Sequence, residues 1–350
     1  MKLDDILQQA RLKGCSDVHI STGTGIMYRL NGQLSDMPCD LSPMELEALV
    51  INSANERCQN LLKDKRDADY VYIDNQSNRY RVNVYYAQDK INAAFRIIND
   101  NIKTLMELNL PPLLNRLAMA PRGLVLVTGP TGSGKSTTLA AMIDYINENR
   151  SCHILTIEDP IEYLYQKKKA MVHQREIFDD VSGFDEALKS AMREDPDVIL
   201  VGEMRDYETI AAAITLAETG HLVLSTIHTS GAARTIDRII DVFPPHRQNQ
   251  IRSQLAGILN AVVTQTLVPT IDNHSRVPAL EILVATGAVK TMIRDNKIHQ
   301  ILNVMATGSD FGMITLDNAL ANLVKEGRVS QAAAQEQAIN VRDFTTFLNG

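Results

Sequence analysis

The stretch Gly129-Pro-Thr-Gly-Ser-Gly-Lys-Ser136 has the spacing of a phosphate-binding loop. An apolar run, Leu124–Val127, precedes it and is typical of a buried strand, whereas the residues that follow it favour a helix. Glycines in such a turn let backbone N–H groups curl around phosphates, and the positive end of the helix points at them. We therefore predict a nucleoside triphosphate site built by Gly129, Pro130, Thr131, Gly132, Ser133, Gly134, Lys135, Ser136 and Thr137. Within it, Lys135 is expected on the β- and γ-phosphates and Ser136 on Mg²⁺.

Three further apolar runs also end in polar residues. Residues 153–157 lead to Glu158, Asp159 and Glu162, residues 198–201 lead to Gly202-Glu203, and residues 222–227 lead to His228. Ligands of a parallel sheet bind beyond the carboxyl ends of its strands. We expect these three tips to share one crevice with the phosphate loop, which is the fourth tip.

Glu203 is the first candidate for the catalytic or metal-binding carboxylate, because an acid after a short buried strand can hold Mg²⁺ or orient the attacking water. Gly202 separates it from the strand, so water-mediated metal contact is as plausible as direct contact. The alternative is an acid that only stabilises a helix N-terminus.

The second acidic tip offers Glu158 and Glu162 as catalytic candidates and Asp159 as a metal ligand. Asp159 before Pro160 could instead cap a helix. His228 is placed to sense the γ-phosphate, although a histidine at a strand end is often only a hydrogen-bonded surface residue. His221 lies at the other end of the same run, roughly 20 Å from His228.

The composition favours a globular protein and argues against several other classes of protein. The chain has 350 residues, 45% of them hydrophobic and 22% charged, which is typical of globular domains and long enough for more than one. The formal net charge of −7 argues against a dedicated nucleic-acid binder. The four cysteines form no CxxC pair, and no apolar stretch reaches the ~18 residues that span a bilayer.

The pattern along the chain predicts an α/β protein with four parts. Residues 1–100 show helices and alternating strands, with an Asn31-Gly32 hairpin turn and a helix from Pro43 to Lys63. Residues 101–121 are interpreted as a linker, residues 122–285 as a parallel-sheet nucleotide-binding domain, and residues 286–350 as a helical region. Arg81 and Arg96 fall on strands of the first part, where their spacing alone favours a solvated strand face.

Four boxes in order carry a resemblance to a known family. They are Gly129–Thr137, Thr156–Glu162, Arg193–Asp206 and Thr219–His228. These stretches resemble the Walker A, Asp, Walker B and His boxes of the type II/IV secretion ATPases, and they are most similar to the type IV pilus retraction (PilT-like) ATPases. Ser16–Ile20 and Gly312–Asp317 extend the similarity over nearly the whole chain.

The resemblance implies a RecA-like ATPase domain preceded by a PAS-like domain, in a homohexamer that hydrolyses ATP with Mg²⁺ to drive pilus retraction. It implies that Arg81, Arg96 and His221 serve the nucleotide site. It also implies a cytoplasmic protein without a transmembrane segment, docked peripherally on a pilus platform protein of the inner membrane. Nucleic acid is not an expected partner.

Two other functions stay open. The retraction subfamily carries an Ala-Ile-Arg-centred motif, and here the matching residues are Ala288-Val289-Lys290. Because Lys cannot replace the bidentate contacts of Arg, an ATPase of a type IVB secretion or conjugation system remains an alternative. A nucleotide-controlled scaffold with negligible turnover is the alternative from a different class.

Overall fold

The chain divides into two compact units. The structure, a computed structural model, describes residues 2–30, 32–98 and 101–349. The first unit is Met1–Asn101 and the second is Ile102–Gly350.

The first unit is an α+β fold around one antiparallel sheet. Its helices are α1 (Leu3–Leu12), α2 (Pro43–Ser53) and α3 (Glu56–Lys63), and its strands are β1 (Asp17–Ser21), β2 (Gly25–Leu30), β3 (Gln33–Met37), β4 (Ala68–Ile73), β5 (Arg79–Ala87) and β6 (Lys90–Ile97). The strand order is β3-β2-β1-β6-β5-β4. Strands alternate between core and outer face, so Val82 and Phe95 are buried whereas Arg81 and Arg96 are exposed.

The predicted β2–β3 hairpin is confirmed by the pairing of Leu30 with Gln33, although Asn31 lies outside the described residues. The single helix predicted from Pro43 to Lys63 is wrong. Ala54 has an extended backbone, and the Asn55 side chain accepts the Cys58 N–H and starts a second helix. A local cap therefore overrides a continuous helical pattern.

The second unit is built on a seven-stranded sheet covered by helices. Its strands are β7 (Gly123–Thr128), β8 (His153–Glu158), β9 (Met171–Glu176), β10 (Val198–Val201), β11 (Leu222–Ile227), β12 (Leu259–Pro269) and β13 (Arg276–Val284). Its helices are α4 (Leu113–Ala118), α5 (Lys135–Asn149), α6 (Phe184–Ala191), α7 (Tyr207–Glu218), α8 (Ala232–Asp241), α9 (Pro245–Ile258), α10 (Gly287–Arg294), α11 (Ile301–Thr307), α12 (Leu316–Lys325), α13 (Gln331–Gln337) and α14 (Val341–Asn349).

The sheet has the order β13-β12-β7-β11-β10-β8-β9, and all neighbours are parallel except β12 and β13. Leu124 and Leu126 pack into one apolar cluster, whereas Val125 and Val127 pack into another. Both faces of β7 are thus buried, which explains its continuous apolar run. The predicted α/β class and parallel sheet are confirmed, and the antiparallel edge strand β13 is an addition.

Residues at the two ends of this unit pack onto the same sheet. Leu105, Leu110 and Leu114 join the cluster of β7 and α5. The helices after β13 form a further cluster in which Leu320 and Phe344 pack against Val268 of β12. None of the described helices is long and apolar enough to cross a membrane.

Candidate nucleotide site

The phosphate loop follows β7 in the middle of the sheet. Three of its glycines have positive φ angles, 136° at Gly129, 77° at Gly132 and 87° at Gly134. A Cβ on Gly129 would lie 2.2 Å from the Gln265 carbonyl oxygen, so only glycine fits this position. α5 begins at Lys135, directly after the loop, and leaves its first N–H groups without intrahelical partners. This arrangement matches the predicted phosphate cradle.

Lys135 lies against the loop that it is expected to serve. Its ammonium donates to the carbonyl oxygens of Gly129 and Pro130, both at 3.0 Å. Burial lowers the pKa of Lys135, and the Glu203 and Glu162 carboxylates oppose that shift. Ser133 in the same loop has a buried hydroxyl without a hydrogen-bond partner among the described residues. A buried ammonium and an unpaired hydroxyl fit an anionic ligand such as a phosphate group.

His228 connects Lys135 to Glu203. The Lys135 ammonium lies 3.4 Å from His228 Nδ1, and His228 Nε2 lies 3.2 Å from Glu203 Oε1. Because an ammonium can only donate, Nδ1 is the acceptor, and Nε2 carries the proton that Glu203 accepts. The other oxygen of Glu203, Oε2, lies 2.8 Å from the Arg205 guanidinium. The structure thus brings together the tips of β7, β10 and β11, as the strand pattern predicts.

Gly202 has a packing role that explains its place between β10 and Glu203. A Cβ there would lie 3.2 Å from the Ile157 carbonyl and 3.3 Å from the Glu158 Cα. Gly202 also donates its N–H to Ile157, 2.8 Å away. The absence of a side chain lets the ends of β8 and β10 approach closely.

The acids after β8 differ in environment. Glu158 is buried and accepts from the Thr156 hydroxyl at 2.6 Å and from the Gln174 amide at 3.3 Å. Burial raises the pKa of Glu158, and the hydrogen bonds oppose that shift. Asp159 and Glu162 are exposed. No helix begins at Pro160 in the described chain, so the helix-capping alternative for Asp159 is wrong.

Gln265 is a site residue that the sequence reasoning missed. It is buried on β12, donates to the Ser133 carbonyl at 2.7 Å and accepts from the Thr138 hydroxyl at 2.8 Å. It therefore ties the loop to the first turn of α5. The signal was available, since Thr264-Gln-Thr266 is a polar interruption in an otherwise apolar run.

Three further predicted residues are His221, on the second unit, and Arg81 and Arg96, on the first. His221 precedes β11, and its Nδ1 lies 2.9 Å from the Leu216 carbonyl. This is the end of the strands opposite to the one that carries the phosphate loop. Arg81 and Arg96 are cross-strand neighbours on the exposed face of the first unit. Arg96 Nε donates to Asp17 Oδ1 at 2.9 Å. Their roles at the nucleotide remain predictions.

The family model described as type II/IV secretion system protein matches residues 1–340. The chain belongs to this family. It is 45% identical to the type IV pilus retraction ATPase PilT of Pseudomonas aeruginosa over 341 residues, covering 97% of this chain and 98% of the relative. It is 47% identical to a twitching motility protein of Neisseria gonorrhoeae over 316 residues, covering 90% of this chain and 84% of the relative.

A solved structure has the same fold over its whole length. The crystal structure of the pilus retraction motor PilT with bound ADP has a TM-score of 0.92 and 40% sequence identity, and the match covers 99% of both chains. The resemblance to retraction ATPases predicted from the four boxes is confirmed.

Proposed function

We propose that this protein is an ATP-hydrolysing motor that drives retraction of a type IV pilus. The observation that carries the proposal is the chain of contacts from Lys135 through His228 to Glu203 at the mouth of the phosphate loop. A protein that only binds nucleotide needs the loop and a metal. A histidine and a carboxylate held beside the loop add the groups that hydrolysis requires.

Bound Mg²⁺ and ATP would supply the phosphoryl group and a metal that neutralises its charge. In the proposed site, the loop N–H groups and Lys135 hold the phosphates. Ser136, Glu203 and Asp159 hold the metal, directly or through water. Magnesium in nucleotide sites needs only one or two protein ligands beside the phosphates, so a dense cluster of acids is not required.

Glu203 is the best candidate for orienting the attacking water. Glu158 is buried and already accepts hydrogen bonds from two side chains, a role that fits support of the strand tip. The backbone N–H of Glu162 helps to lower the pKa of Glu158, while the Glu162 side chain is exposed. His228 contacts both Lys135 and Glu203, which suits a group that responds to loss of the γ-phosphate.

The assembled motor extends the proposal beyond one chain. We place a PAS-like domain at 1–100, a linker at 101–121, a RecA-like domain at 122–285 and a helical region at 286–350. Six copies form a ring in which Arg81, Arg96 and His221 serve the nucleotide site. The ring works at the cytoplasmic face of the inner membrane against a pilus platform protein.

Lys135→Ala tests the core of this proposal. Loss of the buried ammonium should reduce steady-state phosphate release by at least about 100-fold, because it removes a direct contact to the phosphoryl group. Lys168→Ala is the matched control, since Lys168 pairs with Asp144 on the surface at 2.9 Å. We expect this variant to hydrolyse ATP at the wild-type rate. Normal turnover in Lys135→Ala, with assembly retained, would reject the site.

One observation favours the scaffold alternative. Both oxygens of Glu203 are engaged, one by Arg205 and one by His228. If these contacts keep Glu203 turned away from the attacking water when ATP binds, the protein binds nucleotide without hydrolysing it. Phosphate release by the purified, assembled wild type separates the two functions, because a scaffold releases none above background.

A further inference from the structure

Glu281 is a buried carboxylate that the proposed hydrolysis does not use. It lies on β13 with 1% of its surface exposed. Its Oε1 accepts the Ala232 N–H at 2.6 Å, and the Leu316 N–H faces the same carboxylate and lowers its pKa. Ala232 and Leu316 are the first residues of α8 and α12. One side chain therefore binds the N-terminal end of α8 and faces that of α12, both helices of ten residues.

The first of these helices begins directly after the tip that carries His228. Only Thr229, Ser230 and Gly231 separate His228 from α8. The Thr229 hydroxyl lies 2.7 Å from the Thr235 hydroxyl, which donates to the Gly231 carbonyl at 2.8 Å. This short connection is fixed at both ends, so a displacement of α8 would displace His228.

The second helix belongs to the region after β13. Ile282, next to Glu281, exchanges two backbone hydrogen bonds with Ile314, at 2.9 and 3.1 Å. From there the chain enters α12, whose Leu316 and Leu320 pack in the C-terminal cluster. Glu281 is thus the polar contact that α8 and α12 share.

We propose that Glu281 is a positioning residue that fixes the His228 tip and transmits its displacement to α12. The inference rests on the proposed function, since His228 must respond to nucleotide. A carboxylate suits the task because its two oxygens can accept two N–H groups and its charge is stabilised by two helix dipoles.

Burial raises the pKa of Glu281, and the two N–H donors oppose that shift. Asp317 raises the pKa further, whereas Arg234 lowers it. A glutamine at position 281 keeps the size of the side chain but replaces one acceptor oxygen with a donor group. That group would face a backbone N–H, so one helix would lose its contact.

Glu281→Gln and Asp317→Asn form a matched pair for the test. Asp317 is also buried and accepts two backbone N–H groups, from Ile339 at 2.8 Å and Asn340 at 3.1 Å. Burial raises its pKa as well. Its hydrogen bonds connect α12 to residues 339 and 340 of the C-terminal region and do not involve α8. We expect Glu281→Gln to lower kcat roughly tenfold with ADP affinity unchanged, because a misplaced group beside the reacting phosphate costs rate.

Asp317→Asn should keep kcat within about twofold of the wild-type value. Its unfolding midpoint should fall as much as that of Glu281→Gln. Equal kcat values for the two variants would overturn the proposal. Hydrogen exchange on the full-length wild type provides a second measurement that needs no variant. The amides of residues 316–319 should exchange at different rates with ADP and with a non-hydrolysable ATP analogue.

Identical exchange of these amides in the two states would overturn the proposal even if Glu281→Gln failed to fold. The proposed function fails separately, through absence of phosphate release by the wild type. A wild type that hydrolyses ATP but shows no change at 316–319 would therefore reject the role of Glu281 alone.

Discussion

Glu203 is the side chain on which the proposed chemistry depends most. It lies between an exposed guanidinium and a histidine that also contacts the phosphate-loop lysine. Each oxygen has one partner and keeps a second lone-pair site, so the carboxylate can still accept a water or a metal ion while these contacts hold it in place.

Glu203→Gln should trap ATP on the protein. The amide keeps the size of the side chain but cannot take a proton from water, and general-base catalysis contributes about 10²- to 10⁴-fold. Single-turnover hydrolysis should slow by that factor while ATP still binds. Glu194→Gln is the control, because Glu194 pairs with Arg175 at 2.6 Å, away from the loop. Rapid hydrolysis in Glu203→Gln would move the base to Glu158 or Glu162.

At the scale of elements, the phosphate loop depends on a strand far away in sequence. Gln265 of β12 contacts the loop and α5, and the Thr264 hydroxyl lies 2.9 Å from that of Thr128 at the end of β7. Gln265→Ala should leave the Ser133 carbonyl and the Thr138 hydroxyl buried without partners. Each such loss costs roughly 1–3 kcal/mol.

We expect Gln265→Ala to weaken ADP binding about tenfold and to lower the unfolding midpoint. Gln254→Ala provides the control, because the hydrogen bond that the half-buried Gln254 donates to Glu218, at 2.7 Å, is exposed to solvent. Isothermal titration with ADP measures the change. Unchanged affinity would mean that the loop keeps its shape without the β12 contact.

The turn between β4 and β5 gives a prediction about pH. Burial raises the pKa of Asp74, but hydrogen bonds from Asn78, the Gln76 N–H and Tyr80 outweigh it and hold the pKa below its ordinary value. An acid with a lowered pKa stabilises the fold above its unfolded-state pKa of about 3.9. That stabilisation is lost as the pH falls through the folded-state pKa.

Asp74→Asn should therefore lower the free energy of unfolding near pH 7 by roughly 1–3 kcal/mol and have little effect near pH 2. Hydrogen exchange of the β5 amides in the full chain measures the difference. Asp36 is one of the exposed residues of β3, and Asp36→Asn should leave the free energy of unfolding unchanged at either pH. A difference that persists in acid would show that packing, not the charge, makes the contribution of Asp74.

Elements that follow from one continuous sequence pattern were predictable, whereas a break set by one cap, a polar edge strand and a contact between distant residues were not. β7, the loop and α5 follow from one continuous stretch of sequence. The break at Ala54 depends on a single cap, and the edge strand β9 carries polar residues that gave no strand signal. Gln265 was missed because its partners are 127 and 132 residues away in sequence. The hydrophobic periodicity of a segment gives no information about contacts between residues so far apart in sequence.

The whole molecule raises the question of where Arg81 and Arg96 act. They lie on the first unit, whereas the loop lies on the second, and the proposed ring offers sites in cis or in trans. A mixture of two inactive variants distinguishes these arrangements. Arg81→Ala should lower kcat with ADP affinity retained, as the loss of an arginine finger does. Lys135→Ala lacks the phosphate-loop lysine but keeps both arginines.

In a random equal mixture of the two variants, a site shared by neighbouring subunits is complete about one time in four. Turnover of the mixed ring should then rise well above that of either variant alone. If each arginine serves the loop of its own chain, every site lacks one group and mixing restores nothing. Arg66→Ala mixed with Lys135→Ala controls for dilution, since Arg66 is an exposed residue outside the strands. We expect restoration, because a ring that shares its sites couples hydrolysis in one subunit to movement of the next.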